Sequence, residues 1–596
     1  MKPIIYLLIV GLLIDHLVYA NDRFDFNPIA HTKSRIIIGQ KVQINDDPVY
    51  QFLGVPYAEP PLGSNRFERP KSLNESSGSR FVWAQKFKPT CMQMKHLAKA
   101  INPLLDVDQI HEISEDCLYL NIYVPIVEND KKIPVMVWLP GEGFDFADAR
   151  QFSGAYLASI GKVIVVTVQY RVGVFGFLKD NAGLWDQLEA LRWINENIEQ
   201  FNGDPNDVTL FGRFTGSMSI SILLSSPEII QSPKPLFNRA ILMSGIAVGQ
   251  WVFNMKNTLK ANKMIDVHDC GDLECLKSIP AETILEKSGY GWKPTIESDL
   301  IIDEPLNALQ RGQFPKFIDS IMLGSNQFEG SLCLLKHLAT DEKFYLKLIQ
   351  NNISSEDFDR IIREDLQMFY GDDQQFSRYR WTYQQNDRDT YLHFCSELLI
   401  ESHMRNYYDS ILNRIQQNPR FGLKNIYRYK VDYKPKFSIA PGFINSSIHG
   451  DDVLLAFGLA FKQQQLAIKN QIDQQISNKM IQLFSRFAID GQPPSDSNHF
   501  IEIKSPNLPS APSSSEAITR VFHPSMIETI LAENCRWTSN NVLVMLIILS
   551  IILFVFFMIS LVTIIRLLSG QSSSSSLSMF HKQSPSEQIK HLLQNC

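Results

Sequence analysis

Hydrophobic residues in the first half of the chain form short continuous runs that alternate with longer, helix-like patterns. The runs cover residues 135–139, 163–169, 208–211 and 240–243. Because they are apolar without alternation, both faces of each strand should be buried, as in a central, mostly parallel sheet flanked by helices. Residues 184–201 follow an amphipathic helical pattern. Together these patterns predict the α/β class.

The two ends of the chain carry apolar segments of another kind. Residues 1–20 combine Lys2, an apolar core and a small-residue exit at Ala20, the layout of a cleaved signal peptide. A short membrane anchor is the alternative, but that core is too short to span a bilayer. The 24 residues 542–565 contain no charge. At about 1.5 Å each they give about 36 Å of helix, enough to cross a hydrocarbon core of about 30 Å.

These segments predict a single-pass type I protein of the plasma membrane. The expected order is a signal peptide, an extracellular domain, a transmembrane helix and a serine-rich cytoplasmic tail, at residues 1–20, 21–541, 542–565 and 566–596. A mostly polar segment of 31 residues follows the span, which disfavours a lipid anchor because such an anchor replaces a terminal hydrophobic tail.

Composition narrows the classes of function. Hydrophobic residues make up 44% of the chain and the net charge is −6, so no basic stripe indicates a nucleic-acid partner. Seven of the eight cysteines precede the span, which allows three disulfides and one odd thiol on the oxidising side. Sequons at Asn74, Asn352 and Asn445 predict glycosylation of an exported surface. No ligand cluster indicates a metal or another cofactor.

One motif has the form of a catalytic turn without its nucleophile. The strand at 208–211 runs into Gly212-Arg213-Phe214-Thr215-Gly216, and a helix is expected to begin near Ser217. A strand, a tight turn and a helix are the context of the G-x-S-x-G nucleophile elbow. Phe214 occupies the serine position, and a phenylalanine side chain cannot attack a carbonyl carbon.

Several ordered segments give the chain a specific resemblance. They are FLGVPYAEPP at 52–61, SEDCLYLN at 114–121, QYRVG at 169–173 and GLWDQ at 183–187. With these motifs, residues 35–535 resemble the type-B carboxylesterase/cholinesterase family. The resemblance implies one large domain with the α/β-hydrolase fold, followed by the C-terminal transmembrane helix.

The resemblance also assigns the other catalytic positions. The family's G-x-N-x-D-E-G segment places the triad acid at Glu329, and its histidine, followed by glycine and two acids, falls at His449. The oxyanion loop H-G-G-G-F is replaced by a sequence with Gly141, Glu142 and Gly143. Arg213 stands where the family usually has glutamate, so we hypothesise an ion pair between Glu142 and Arg213. The resemblance therefore implies vestigial triad positions and no active catalytic residue.

The resemblance further implies disulfides and a dimer surface. It pairs Cys91 with Cys117, Cys270 with Cys275, and Cys395 with Cys535, which leaves Cys333 as a buried, unpaired thiol. Family members often dimerise through a helix near the C-terminus, and residues 525–533 are the candidate for a homodimer here. Packing of that helix within its own domain is an equal alternative.

Three functions remain open from the sequence. A membrane-tethered hydrolase domain without a nucleophile resembles the cholinesterase-like adhesion proteins, such as neuroligins and gliotactin, which implies adhesion or receptor-like recognition of an unidentified extracellular protein. A membrane-bound carboxylic ester hydrolase with an atypical active site is the first alternative. A decoy that binds small ligands in the old gorge is the second.

Overall fold

The protein is described here by a computed structural model. It describes residues 27–504, except 46, 75–77, 95–111, 129–130, 249–251, 254–256, 297–298, 372, 419–420, 463–469 and 495–499. The predicted signal peptide, transmembrane span, cytoplasmic tail, dimer helix and Cys535 lie outside the described residues. Within the described ranges, no helix combines the length and the apolar character that a bilayer crossing requires.

Fifteen strands lie within the described residues. They are β1 Ile29–His31, β2 Ile36–Ile38, β3 Gln40–Ile44, β4 Asp47–Pro56, β5 Phe81–Trp83, β6 Thr90–Cys91, β7 Ile113–Ser114, β8 Tyr119–Pro125, β9 Ile133–Leu139, β10 Ile164–Val168, β11 Gly203–Arg213, β12 Arg239–Met243, β13 Ser320–Asn326, β14 Asn425–Asp432 and β15 Phe500–Lys504.

Helices cover both faces of the central sheet and connect its strands. They are α1 Ala155–Gly161, α2 Gly173–Phe177, α3 Ala182–Asn197, α4 Thr215–Ser225, α5 Pro227–Ile230, α6 Asn257–Val267, α7 Leu273–Ser278, α8 Ala281–Ser288, α9 Pro305–Gln310, α10 Ser331–Thr340, α11 Glu342–Gln350, α12 Ser355–Tyr370, α13 Phe376–Thr382, α14 Arg388–Ser396, α15 Ser402–Gln417, α16 Asp451–Ala456, α17 Leu459–Lys462 and α18 Gln471–Asp490. Short 3₁₀ turns occur at Gly63–Asn65 and Ile198–Phe201, and a π-helical turn at Glu397–Glu401.

The central sheet has ten strands in the order β15-β14-β13-β12-β11-β9-β10-β8-β4-β3. Neighbours from β10 through β15 pair in parallel, whereas β8 pairs antiparallel with both β10 and β4, and β3 with β4. The mostly parallel sheet predicted from the apolar runs is therefore confirmed. Each of the four predicted strands is present, and its observed ends differ from the prediction mainly where pairing extends β11 in both directions.

Aromatic side chains fill the core beneath the centre of this sheet. The Trp138 ring lies 5.0 Å, centroid to centroid, from both Phe211 and Phe457, and Phe211 stacks on Phe457 at 5.7 Å. These rings tie β9 and β11 to the segment that follows α16. The core therefore fixes the carboxyl ends of the two central strands, where an α/β-hydrolase carries its catalytic turn.

Three disulfides lie within the described residues. Cys91 pairs with Cys117 and Cys270 with Cys275, as expected. The third pair is Cys333–Cys395, with Cα atoms 6.4 Å apart. The expectation that Cys395 pairs with Cys535 and that Cys333 stays unpaired is therefore wrong for this structure.

Close helix packing explains the third pair. A Cβ atom at Gly330, immediately before α10, would lie 2.7 Å from the Cβ of Cys395 and 2.0 Å from the carbonyl oxygen of Leu392 on α14. Only a glycine permits this approach. Cys333 lies one turn further along α10, so the same contact brings the two sulfurs together, although 62 residues separate the cysteines in sequence.

The three sequon asparagines, Asn74, Asn352 and Asn445, are all exposed. Their positions are accessible to a glycosyltransferase, as N-glycosylation requires. Glycosylation itself stays a prediction.

Disulfide mapping tests the corrected pairing. Proteolysis of the unreduced full-length protein should yield a linked peptide pair containing Cys333 and Cys395, detected by mass spectrometry. The variants Cys333→Ser and Cys395→Ser should each lower the free energy of unfolding by about 2–4 kcal/mol, because each opens the same covalent loop. A peptide pair joining Cys395 to Cys535, or a loss confined to Cys395→Ser, would contradict the pairing.

Candidate active site

The turn between β11 and α4 has the geometry of a nucleophile elbow. Phe214 adopts φ 49° and ψ −112°, a strained conformation for a residue with a side chain. Two backbone bonds support it, because its N–H donates to the carbonyl of Met243 at 2.9 Å and its carbonyl accepts from the Met218 N–H at 2.8 Å. A Cβ atom at Gly216 would lie only 2.0 Å from the carbonyl oxygen of Leu139 on β9. The strained turn is thus preserved around a residue that cannot act as a nucleophile.

Glu329 and His449 meet at this turn as an acid–base pair. The Nδ1 of His449 lies 2.6 Å from the Glu329 carboxylate, and Glu329 is fully buried. The carboxylate also accepts hydrogen bonds from the Ser244 hydroxyl at 2.6 Å and the Asn326 backbone N–H at 2.5 Å. Burial by itself would raise the pKa of Glu329, but His449 and these hydrogen bonds lower that pKa overall. The carboxylate is therefore ionised and can orient the imidazole.

Phe214 occupies the space that a serine hydroxyl would use. Its ring lies 5.2 Å from the His449 ring, centroid to centroid, in an edge-to-face arrangement at 81°. The Nε2 of His449 is buried and has no hydrogen-bond partner among the described residues. This is the nitrogen that takes the nucleophile's proton in a serine triad. The base is correctly placed, but the group that it would deprotonate is absent.

Arg213 and Glu142 form the ion pair hypothesised from the sequence. The Arg213 side chain is 6% exposed and that of Glu142 is 17% exposed, so water screens the pair weakly. The guanidinium also lies against Gly450, where a Cβ atom would come within 2.0 Å of Nη1. The pair therefore joins the elbow, the oxyanion loop and the histidine loop.

The Arg213 cation balances a group of buried acids. Burial lowers the pKa of Arg213 to about 10, while Asp452, Glu329 and Asp451 act in the opposite direction. Burial likewise raises the pKa of Asp451 to about 7, although Ile448 N–H and the Ser438 hydroxyl donate to its carboxylate. Without a buried cation, three carboxylates in one low-dielectric region would repel one another.

The loop at the oxyanion-hole position uses the N–H groups of Glu142 and Phe144 in hydrogen bonds within the protein. The Glu142 N–H donates to the Phe146 carbonyl at 2.8 Å, and the Phe144 N–H donates to Thr215 Oγ1 at 3.3 Å. An oxyanion hole requires N–H groups that point at the developing negative charge. The N–H of Glu142 is committed elsewhere, and its carboxylate is drawn to Arg213. The Thr215 hydroxyl accepts a backbone hydrogen bond, which gives it a structural partner.

The structure brings together every predicted triad and loop position, namely Phe214, Glu329, His449, Gly141, Glu142 and Gly143. Sequence reasoning missed Ser244, whose hydroxyl holds Glu329, and it missed the contact between Arg213 and the histidine loop. Ser244 had a usable signal, because it directly follows the apolar run 240–243 and so lies at the carboxyl edge of the sheet. The contact of Arg213 had no local signal, since Gly450 is more than two hundred residues away.

The two halves of the ion pair should contribute unequally to stability. Arg213→Met leaves Glu142, Glu329, Asp451 and Asp452 without their buried cation, so we expect a loss of about 3–5 kcal/mol. Glu142→Gln keeps a hydrogen-bond acceptor and leaves Arg213 its other carboxylates, so the expected loss is about 1–2 kcal/mol. Urea denaturation of both variants measures the difference.

A solvent-exposed ion pair provides the control for this comparison. Lys162 pairs with Asp47 at 2.6 Å, with side chains 47% and 53% exposed. Lys162→Met should cost less than about 1 kcal/mol because water screens the pair. An equal loss for Arg213→Met and Glu142→Gln would show that Arg213 does not balance the other acids.

Comparisons with known proteins agree with this geometry. The profile of the carboxylesterase family matches residues 27–534. Carboxylesterase 5A of Canis lupus familiaris is 30% identical over 504 residues, which cover 78% of this chain and 82% of that protein. Neuroligin-3 of Mus musculus is 33% identical over 398 residues, and neuroligin-2 of Homo sapiens is 32% identical over 381 residues.

The matches to the two neuroligins cover 58% and 55% of this chain, but only 46% and 43% of the neuroligins themselves. The match therefore spans less than half the length of these relatives. The family profile, by contrast, extends through the elbow, the acid and the histidine, and it implies the α/β-hydrolase fold. This chain is a member of the carboxylesterase family.

Proposed function

We propose that this protein is a non-catalytic, cholinesterase-like cell-surface protein whose extracellular domain recognises another protein, in adhesion or as a receptor. The observation that carries the proposal is the edge-to-face contact of Phe214 with His449 on an intact elbow. An aromatic ring fills the one position where acyl transfer requires a hydroxyl.

The size of the expected loss in turnover favours the absence of catalysis over slow catalysis. Removing a triad serine lowers turnover by roughly 10⁶-fold, and the activity that remains depends on the oxyanion hole and on substrate binding. In this chain the Glu142 N–H is bonded to Phe146, and its side chain pairs with Arg213. The residual route to catalysis is therefore weakened together with the main one.

The retained acid and base have a structural role in this proposal. His449, Ser244 and Asn326 hydrogen-bond the buried carboxylate of Glu329, which would be costly to leave without partners. The same residues hold the loops around the elbow. A domain that has lost its reaction can therefore keep these residues for stability alone.

The placement on the cell surface rests on the predicted signal peptide at 1–20 and the predicted span at 542–565. Three disulfides among the described residues fit an oxidising, extracellular compartment. The similarity to neuroligins supports recognition of a protein partner, and the similarity to carboxylesterase 5A supports the alternative, a membrane-bound ester hydrolase with an atypical site.

A fluorophosphonate probe separates these two functions. Full-length wild-type protein should remain unlabelled, because none of the described residues hydrogen-bonds Nε2 of His449 as a nucleophile would. Phe214→Ser should permit covalent labelling, since the new hydroxyl would lie beside the correctly oriented imidazole. Adding His449→Ala to that variant should slow labelling by about 100-fold or more, the lower range of general-base catalysis. Stoichiometric labelling of the wild-type protein would contradict the proposal that it is non-catalytic.

Cell adhesion tests the recognition function directly. Cells that display the full chain should bind cells of the same organism more strongly than vector-only cells do. The Phe214→Ser variant should mediate the same adhesion at equal surface expression, because recognition is assigned to the domain surface. Proximity labelling at the cell contacts would then identify the partner. The proposal would be contradicted if cells that display the chain adhered no more strongly than vector-only cells to cells from any tissue of the organism.

A further inference from the structure

A group of side chains that can bind a metal lies on three helices outside the elbow. Cys333 on α10, Asp365 on α12 and Cys395 on α14 are buried, and their sulfur and carboxylate oxygen atoms lie within 4.8 Å of one another. The two cysteines form a disulfide in this structure, so the sulfurs are not available as ligands in the oxidised state. Two thiolates and a carboxylate are ligands that Zn²⁺ accepts in tetrahedral sites.

The same helices provide a supporting shell for Asp365. Tyr391, one turn before Cys395, donates its hydroxyl to Asp365 at 2.8 Å and also hydrogen-bonds His337, one turn after Cys333. Such outer partners orient the ligands of metal sites. Only Cys333, Asp365 and Cys395 contribute atoms that lie within 4.8 Å of one another among the described residues, so His337 acts here as an outer partner through Tyr391.

Charge balance distinguishes this cluster from an ordinary buried disulfide. Two thiolates, one carboxylate and one Zn²⁺ carry a net charge of −1. Lys336 already forms an ion pair with Asp365, so its ammonium group makes the assembly neutral. Neutrality matters because an isolated charge in a protein interior is strongly unfavourable.

We propose that reduction of the Cys333–Cys395 disulfide converts this cluster into a Zn²⁺ site formed by both thiolates and Asp365. A dithiol reductant donates two electrons, the S–S bond breaks, and the reductant leaves as its own disulfide. The two cysteine thiols then bind Zn²⁺ and release two protons. Water takes the fourth position. Disulfide and zinc are thus alternative covalent states of one three-helix junction.

This junction adjoins the former active site. The Gly330 N–H donates to the Ser396 hydroxyl at 2.8 Å, and Gly330 directly follows Glu329. The contact that brings the cysteines together therefore also anchors the acid of the vestigial triad. The zinc site does not depend on the proposed recognition function, since it uses neither Phe214 nor His449.

Zinc titration of the reduced, full-length protein in detergent tests the proposal. After treatment with a phosphine reductant and its removal under anaerobic conditions, competition with a chromophoric chelator should show one additional Zn²⁺ per chain relative to the oxidised protein. Cobalt in place of zinc should give a thiolate-to-metal charge-transfer band. Absence of both would overturn the proposal.

Two variants separate a built site from adventitious binding. Asp365→Asn keeps the disulfide and the shape of the side chain. It should weaken zinc binding by at least about 10-fold, because even the mutation of a residue that only hydrogen-bonds a metal ligand typically lowers metal affinity by that factor. The double variant Cys270→Ser with Cys275→Ser removes another reducible pair and should bind zinc unchanged. If Asp365→Asn bound zinc with the same affinity as the wild type, as expected when thiols of an unfolded chain bind the metal, the proposed site would be refuted. Loss of zinc binding in the double variant would refute it as well.

Discussion

The geometry of the site depends on the contact between the start of α4 and the end of β9. A side chain at Gly216 would collide with the carbonyl of Leu139, so only a glycine fits at this position. The preceding turn holds Phe214 at positive φ. This contact fixes residue 214 at the carboxyl edge of the sheet, whatever its side chain is. The acid and the histidine are carried to the same edge by other strands and loops.

Given that position, Phe214 changes the chemistry without changing the scaffold. The ring packs edge-to-face on His449, and the Glu329–His449 pair remains hydrogen-bonded as it would be in a hydrolase. The Glu142–Arg213 ion pair then places opposite charges in the loop and the elbow, where a hydrolase presents neutral N–H donors. Arg213 thereby connects the elbow, the loop that contains Glu142 and the histidine loop.

Much of this arrangement could be predicted from the sequence because its signals are local. Continuous apolar runs indicated the buried strands, and the glycines on either side of Phe214 indicated the tight turn. The hypothesised pair of Glu142 and Arg213 was also correct, since Glu142 follows β9 and Arg213 ends β11 at the same edge of the sheet. The pairing of Cys395 was predicted wrongly, because the resemblance to a family takes no account of the packing of α10 against α14 in this chain.

The sequence by itself determined which atoms are available: no hydroxyl at position 214, an acid and a base at 329 and 449, and a cation at 213. Only the tertiary structure decided which of these atoms meet. The contact of Arg213 with Gly450, the Cys333–Cys395 pair and the gathering of Asp365 with both sulfurs all join residues that are distant in sequence. Such contacts depend on how closely helices and loops pack, and a difference of a few ångströms decides whether two side chains meet. A local pattern of residues does not contain this information.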